Sequence, residues 1–213
     1  YGMMRDQEAV KICRAFVERY PESQWPPEVY FWLGKYEYNR GRYAEAEKDF
    51  LKVADGKEER PLADDAFLWA GLSAIRAKEY VRALEHLTHT VKTYPESPRM
   101  AEARYYQAEA LSEMGRFAAA ILIYDEIITK YSDSYLVPAA LGRKGDCNFT
   151  LAAEDSSRYK ESIQAYRQVV ERLHRQIAAV RYESRRRLRR QLEGDELDMD
   201  GLVANAIALR GHQ

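Results

Sequence analysis

Two histidines are the first residues in this sequence whose type and spacing could bind a metal. His86 and His89 are three residues apart in a predicted helix, so both imidazoles would lie on one face. No third ligand is evident beside them, and the sequence has no His-Glu-x-x-His motif. We therefore interpret both histidines as exposed polar residues of a helix, and we predict no metal site.

A cluster of carboxylates near the C-terminus is the second candidate for chemistry. Asp195, Asp198 and Asp200 carry oxygen ligands of the kind that calcium prefers, but their spacing and the missing distal glutamate do not fit an EF-hand loop. The sequence also lacks a glycine-rich phosphate-binding loop and a nucleophile elbow. These features predict a protein that is not an enzyme and that uses no cofactor.

Composition narrows the class of protein further. The 33 Lys and Arg residues nearly balance the 34 Asp and Glu residues, which argues against a strongly cationic nucleic-acid binder. Two cysteines, Cys13 and Cys147, are too few for a disulfide scaffold and are interpreted as small buried residues. The longest apolar stretch, near Ala118–Tyr124, is far shorter than the roughly 20 residues that span a bilayer.

The first residues contain no apolar signal core. Two compartments therefore stay open for this protein. We expect the periplasm or cell envelope if a signal peptide was removed, and the cytoplasm otherwise.

The elements that position these residues come from an internal repeat. Tyr-Pro-Glu-Ser occurs at residues 20–23 and 94–97, and a weaker copy, Tyr-Ser-Asp-Ser, follows 37 residues later at 131–134. Four further series share the interval of 37: Gly34, Gly71, Ala108 and Gly145; Tyr43, Tyr80 and Phe117; Ala46, Ala83 and Ala120; and Phe50, Leu87 and Tyr124.

Each unit of the repeat reads as two helices. In the second unit the pattern predicts helices over Val29–Asn39 and Tyr43–Val53, with a tight turn at Gly41. The fifth unit carries extra residues, which we expect in the hairpin loop near Ala152–Arg158. One such pair cannot bury its apolar face alone, so the next pair must cover it.

This pattern resembles the tetratricopeptide repeat (TPR) family. The resemblance rests on Tyr30, Leu33-Gly34, Gly41-x-Tyr43-x-x-Ala46 and Phe50, and it covers about residues 5–175. It implies an all-α fold, a TPR-like α-solenoid of antiparallel helix pairs in a right-handed superhelix. The predicted repeat domain spans residues 1–170, with about 4.5 repeats, and the resemblance implies a scaffold that binds a protein or peptide and does no chemistry.

The Tyr-Pro-x-Ser turns and the long period are similar to bacterial envelope repeat proteins. These are the lipoprotein subunit of the β-barrel assembly machinery and the periplasmic coordinator of the Tol–Pal system. The lipid-anchored cysteine of the first is not visible, because Cys13 lies inside a predicted helix. The resemblance implies a scaffold in a bacterial envelope complex.

The first helix of each unit should line the concave face, where a partner would bind. The repeat alignment assigns to this groove Phe31, Lys35, Tyr38, Asn39, Leu72, Arg76, Tyr105, Glu109, Asp146 and Phe149. Leu68 and Glu113 belong to the same wider set of positions. Lys35 and Asn39 match residues with which chaperone-binding members hold a carboxylate, but Leu68 and Leu72 stand at the matching places of the next unit, so we do not predict that mode.

The remaining segment, residues 171–213, is predicted as a basic helix, an acidic loop and a short apolar helix. Eight arginines lie between Arg172 and Arg190, opposed by Glu183, and Arg181, Arg185, Arg186 and Arg189 form a predicted basic patch. Glu193, Asp195, Glu196, Asp198 and Asp200 form the acidic stretch, and Leu202–Leu209 the last helix.

Three interpretations of this segment stay open. The helix could cap the solenoid through its apolar stripe. It could instead bind an acidic partner, nucleic acid or an anionic membrane surface, although Tyr182 alone offers base stacking, which makes nucleic acid unlikely. Thirdly, Gly194–Asp198 and the following Ala-Leu-Arg-Gly weakly resemble the stretch before a von Willebrand A domain in partners of MoxR-type ATPases. The partner and the oligomeric state are not predicted.

Overall fold

The structure is a computed structural model of the 213-residue chain. It describes the backbone of residues 2–21, 26–54 and 62–210, and the side chains of residues 7–21, 26–53 and 62–190. Within those ranges the regular elements are helices and no strand is present, which confirms the predicted all-α class. The chain divides into two compact units, Tyr1–Tyr166 and Arg167–Gln213.

The helices follow one another as pairs. Their bounds are α1 (Gly2–Arg19), α2 (Pro26–Asn39), α3 (Tyr43–Ala54), α4 (Ala63–Arg76), α5 (Tyr80–Thr93), α6 (Met100–Glu113), α7 (Phe117–Lys130), α8 (Val137–Leu151) and α9 (Arg158–Arg210). Each helix from α2 to α7 packs against the next along the chain, while α4 also contacts α6 and α6 contacts α8. This stacking of helix pairs confirms the predicted α-solenoid.

Small residues let the two helices of a pair approach closely. A Cβ atom on Gly34 would lie 2.8 Å from the ring of Phe50, and one on Gly71 would lie 2.7 Å from Leu87. Phe50 and Leu87 are fully buried, so they cannot move aside. The small and large residues therefore recur every 37 residues because each helix pair makes this same close contact.

The turn inside each pair has the same backbone geometry in three repeats. Gly41, Lys78 and Gly115 all have positive φ, of 75°, 63° and 73°. The next amide in each case donates to a carbonyl in the last turn of the preceding helix, for example Glu79 N to Ala74 O at 2.8 Å. This arrangement satisfies helix-terminal carbonyls and reverses the chain. In the fifth unit a longer loop, residues 152–157, separates α8 from α9, as predicted.

The C-terminal segment differs from the prediction. Helix α9 is continuous to Arg210, so the predicted acidic loop over residues 193–200 and the separate short helix Leu202–Leu209 are wrong. Gly194 and Gly201 lie inside the helix, where each glycine costs only about 1 kcal/mol relative to alanine. The predicted boundary between residues 170 and 171 also falls within α9. None of the described helices is both long and apolar enough to cross a membrane.

Candidate functional site

The first helices of successive pairs, α2, α4, α6 and α8, form what we call the first-helix face. Contacts of α4 with α6 and of α6 with α8 bring their side chains together along this face. Side chains three or four residues apart on each helix point the same way, so equivalent positions of successive repeats form columns. Two such columns meet at each boundary between repeats.

The contacts between these columns change in chemistry from one repeat to the next. Lys35 Nζ lies 3.3 Å from the centroid of the Trp69 ring, a cation–π contact. Two repeats further on, Arg143 Nη2 donates to Glu109 Oε1 at 3.0 Å. Between them, at the same positions, Leu72 and Tyr106 pack on one apolar cluster. The backbone geometry is repeated, and the side chains decide what each boundary can contact.

A cavity of about 450 Å³ opens on this face. Its walls come from α2, α4, α5, α6 and α8 and from the turn after α4. The lining residues are Tyr38, Leu72, Ile75, Arg76, Lys78, Tyr80, Tyr106, Glu109, Glu113 and Arg143. We call this space the first-helix cavity. Three tyrosines and two aliphatic residues make it amphipathic, which is typical of surfaces that hold peptide side chains.

Charge inside the cavity is unevenly compensated. The carboxylate of Glu109 is paired with Arg143, and that of Glu113 accepts a hydrogen bond from Tyr80 Oη at 3.3 Å. Among the described residues, neither Arg76 nor Lys78 forms an ion pair with a carboxylate. Arg76 Nε instead donates to Tyr38 Oη at 3.2 Å, a contact that raises the pKa of Arg76. Two cations therefore line the cavity with unused capacity for an anionic group.

Buried tyrosines hold the wall of the cavity in place. Burial raises the pKa of Tyr106 to about 12, so its hydroxyl stays neutral at physiological pH. Tyr105, the preceding residue, is buried; its ring packs edge-on to Tyr106 and its hydroxyl lies 3.4 Å from Glu109 Oε1. Burial lowers the pKa of Arg143, but hydrogen bonds to Tyr105 and Glu109 outweigh it and raise that pKa. Arg143 is therefore a positioned permanent cation.

Six of the ten predicted groove residues do not line the cavity. Lys35 lies beside Trp69, and Asn39 is exposed at the end of α2. Asp146 accepts a hydrogen bond from Tyr166 at 2.7 Å, and Phe149 packs edge-on to Tyr159. The structure brings together Tyr38, Leu72, Arg76 and Glu109 of the predicted groove set, with Glu113 of the wider set.

One predicted column faces the wrong way. Leu68 is 2% exposed in a core cluster with Leu87, Tyr105 is 9% exposed, and Phe31 packs edge-on to the buried ring of Phe50. All three were expected in the groove, and all three point into the helix pairs instead. A rotation of about 100° per residue separates neighbouring helix positions, so an error of one residue exchanges the core with the surface.

The neighbouring column contains residues that the sequence did not predict for the groove. Tyr106 and Arg143 line the cavity, and Trp69 contacts Lys35. Trp69, Tyr106 and Arg143 follow Leu68, Tyr105 and Gly142 by one residue and recur at the same interval of 37. Ile75 and Tyr80 were also missed, although both lie at repeat positions. Lys78 had a readable signal, because it replaces the glycine found at Gly41 and Gly115.

The two histidines contribute to contacts between helices, so the expectation that both are exposed is wrong. His86 Nε2 lies 2.9 Å from Glu47 Oε1, and the ring of His89 packs 4.1 Å from that of Phe67. Over the residues whose side chains are described, no group of three potential ligands could hold a metal ion. Cys147 is buried and Cys13 is half-buried, and burial raises the pKa of both thiols.

The predicted basic patch lies on the exposed surface of α9. Arg181, Arg185, Arg186 and Arg189 are all exposed, and Arg186 is 3.8 Å from Glu183. This segment belongs to the second unit, whereas every residue lining the first-helix cavity belongs to the first.

Comparison with known structures supports the fold described here. It is similar to the crystal structure of MamA, with a TM-score of 0.64, 18% identity, and coverage of 80% of this chain and 90% of that chain. The structure of MamA residues 41-end from Desulfovibrio magneticus RS-1 is also similar, with a TM-score of 0.62 and 19% identity. The similarity covers 78% of this chain and 84% of that chain. A third similar structure is that of YrrB, a TPR protein with an unusual peptide-binding site, with a TM-score of 0.56 and 17% identity. It covers 79% of this chain and 81% of that chain.

Sequence comparison gives the family. No curated protein sequence matches the chain significantly. The model of the tetratricopeptide repeat family matches residues 7–59, 33–98, 71–135 and 107–176, overlapping segments that together span most of the chain. The period of 37, the stacked helix pairs and these matches agree, and the chain therefore belongs to the tetratricopeptide repeat family.

Proposed function

We propose that this chain is a non-enzymatic interaction scaffold that binds an acidic peptide segment of a partner protein in the first-helix cavity. The observation that carries the proposal is the pair of cations, Arg76 and Lys78, that line the cavity without a carboxylate partner among the described residues. A peptide carboxylate would accept hydrogen bonds from both, in a setting where charge-assisted bonds are strong.

The other walls favour an apolar neighbour beside that carboxylate. Leu72 and Ile75 supply aliphatic surface, and Tyr106 supplies a neutral ring. Aromatic and arginine side chains recur as the anchors of protein interfaces. Aromatic rings bury large areas at little entropic cost, and the planar guanidinium of arginine donates several hydrogen bonds. A segment such as Glu next to Leu or Phe fits this combination.

The conformation of Lys78 adds support. Positive φ is unfavourable for a residue with a Cβ atom, and the equivalent turns use Gly41 and Gly115. A strained residue retained at a lining position is typical of functional sites.

A peptide-array selection tests the proposal. The full chain is probed against random decapeptides, and a selected fluorescent peptide is then titrated by anisotropy. We expect enrichment of Asp and Glu, and a loss of roughly tenfold to hundredfold in affinity for Arg76→Ala, the range expected for a charge-assisted hydrogen bond. Lys92→Ala on α5 is the control and should leave affinity unchanged, because Lys92 is exposed and does not line the cavity.

Two results would refute the proposal. One is a selection without acidic preference, and the other is equal affinity of the Arg76→Ala and Lys92→Ala variants. Circular dichroism of each variant shows whether the fold is kept.

The bacterial envelope setting is a separate part of the proposal. It rests on the Tyr-Pro-Glu-Ser turns at residues 20–23 and 94–97 and on the long period. Fractionation of the native organism, with an antibody against this chain, tests it.

A further inference from the structure

Apolar side chains form an exposed seam on α9 at intervals of three and four residues. Val170, Leu173, Ile177 and Val180 are 42–67% exposed, and Ile163 and Tyr166 continue the same spacing in the preceding turns. This is the a and d spacing of a heptad repeat, with Val170 and Ile177 at a, and Leu173 and Val180 at d. A heptad seam is the surface by which one helix packs on another.

The seam is too narrow and too chemically specific for a membrane surface. A helix that lies on a bilayer needs a broad apolar face, often with Trp or Phe. Between Val170 and Val180 the large apolar side chains lie at the a and d positions alone. Tyr182 stands two residues from Val180, at the f position of the heptad, although it lines a shallow surface groove together with Ile177.

Charge indicates what kind of helix would pair with the seam. Arg172–Arg190 contains eight arginines, and Glu183 is its single acidic residue. In this register the e and g positions that flank the seam carry three arginines, Arg167, Arg181 and Arg190, against one acid, Glu183. Because flanking residues of paired helices face each other, an acidic partner helix is favoured and a basic one is repelled.

A second copy of this chain is the main rival occupant. Two copies of Arg172–Arg190 side by side would bring sixteen arginines together against two glutamates, which disfavours self-pairing along that stretch. Residues 193–200 of another copy are acidic in sequence, so an offset pairing of two copies is the outcome that the test must separate.

We infer that the seam of α9 binds an acidic amphipathic helix of a partner protein as a coiled coil. This site lies outside the first-helix cavity, whose lining residues fall between Tyr38 and Arg143. Loss of one activity therefore need not affect the other, and the two proposals can fail separately.

The test uses the full chain and a labelled 28-residue peptide of four heptads, with Ile at a, Leu at d and Glu at e and g. A matched peptide carries Lys at e and g. We expect fluorescence anisotropy to show at least about tenfold tighter binding of the Glu peptide, with affinity falling as salt increases.

The chain offers a closely matched pair of variants. Val180 is 67% exposed at a seam position, and Tyr182 is 66% exposed on the outer face. Val180→Asn should weaken binding of the Glu peptide by about tenfold or more, while Tyr182→Asn should change it less than about twofold. Both variants should retain the helical circular dichroism of the parent chain, because neither side chain is buried.

Three outcomes would overturn the inference. The first is equal binding of the Glu and Lys peptides, or no binding of either. The second is an equal effect of Val180→Asn and Tyr182→Asn. The third is a dimer in sedimentation velocity that Val180→Asn dissociates, since the occupant would then be a second copy.

Discussion

Lys35 Nζ lies 3.3 Å from the centroid of the Trp69 ring, across the boundary between two successive repeats. Trp69 also packs on the core cluster around Phe50, so the contact connects the surface of α2 to the core between α3 and α4. Lys35 is half-buried, and this partial removal from water lowers the pKa of its ammonium group. A partly desolvated cation on a tryptophan ring stabilises the boundary.

We predict that Lys35→Gln lowers the free energy of unfolding by about 0.5–1.5 kcal/mol, because the cation–π contact is lost while the stem is largely kept. Urea denaturation followed by circular dichroism measures the change. Lys48→Gln on α3 is the control, since Lys48 is exposed. Equal midpoints for the two variants would show that the contact with Trp69 does not contribute.

Gly34→Ala should destabilise the chain by about 1–3 kcal/mol, because its new Cβ would meet the fully buried ring of Phe50 at 2.8 Å. Gly142→Ala is the matched control within a first helix. A Cβ there meets nothing within 4 Å, so better helix propensity should stabilise the chain by up to about 1 kcal/mol. The two changes should therefore shift the urea midpoint in opposite directions, and a shift of the same sign contradicts the packing argument.

Lys78→Gly should stabilise the chain by roughly 0.5–1 kcal/mol, because glycine adopts the φ of 63° without the Cβ clash. The same change should weaken binding of an acidic peptide, since it removes a cation of the first-helix cavity. Ala77→Gly is the control, as Ala77 has an ordinary φ of −76° and should gain no stability. Thermal unfolding of both variants checks the prediction, which fails if Lys78→Gly unfolds at the lower temperature.

Arg14 compensates two buried carboxylates. Its guanidinium donates to both oxygens of Asp49 and lies 3.6 Å from Glu37, and both acids are at most 5% exposed. We expect Arg14→Met to lower the free energy of unfolding by about 3 kcal/mol at pH 7, because the variant leaves Asp49 buried without a counterion. Lys11→Met, on an exposed site of the same helix, should change it by less than about 0.5 kcal/mol.

The Arg14→Met defect should depend on pH. Burial raises the pKa of Asp49, and the Arg14 contact opposes that rise. A carboxyl whose pKa is higher in the folded state stabilises the fold when protonated, and this contribution is lost as the pH rises through the folded pKa. Removal of Arg14 raises the folded pKa further. The deficit should therefore be greatest at pH 7 and shrink as the pH falls, and urea titrations at pH 7 and pH 4.5 measure it. A deficit that grows toward low pH would contradict the sign.

The interval of 37 residues by itself predicts most of the helices of the first unit. Small residues such as Gly34 and large ones such as Phe50 recur because close helix packing requires both, and that requirement is local enough to read from the chain. It gave the helix pairs of α2 to α8, the turn at Gly41 and the loop at residues 152–157.

Only the tertiary structure decided which of two neighbouring residues lines the first-helix cavity. Tyr105 and Tyr106 are the same residue type, and either could face the core by composition. The packing of Tyr105 against Tyr124 of the next helix buries the first and leaves the second to line the cavity. Likewise, Gly194 and Gly201 suggested breaks that α9 does not contain, because a cost of about 1 kcal/mol per glycine is too small to end a helix by itself. Sequence patterns determine which elements form, whereas side-chain orientation depends on contacts with helices that are distant in the chain.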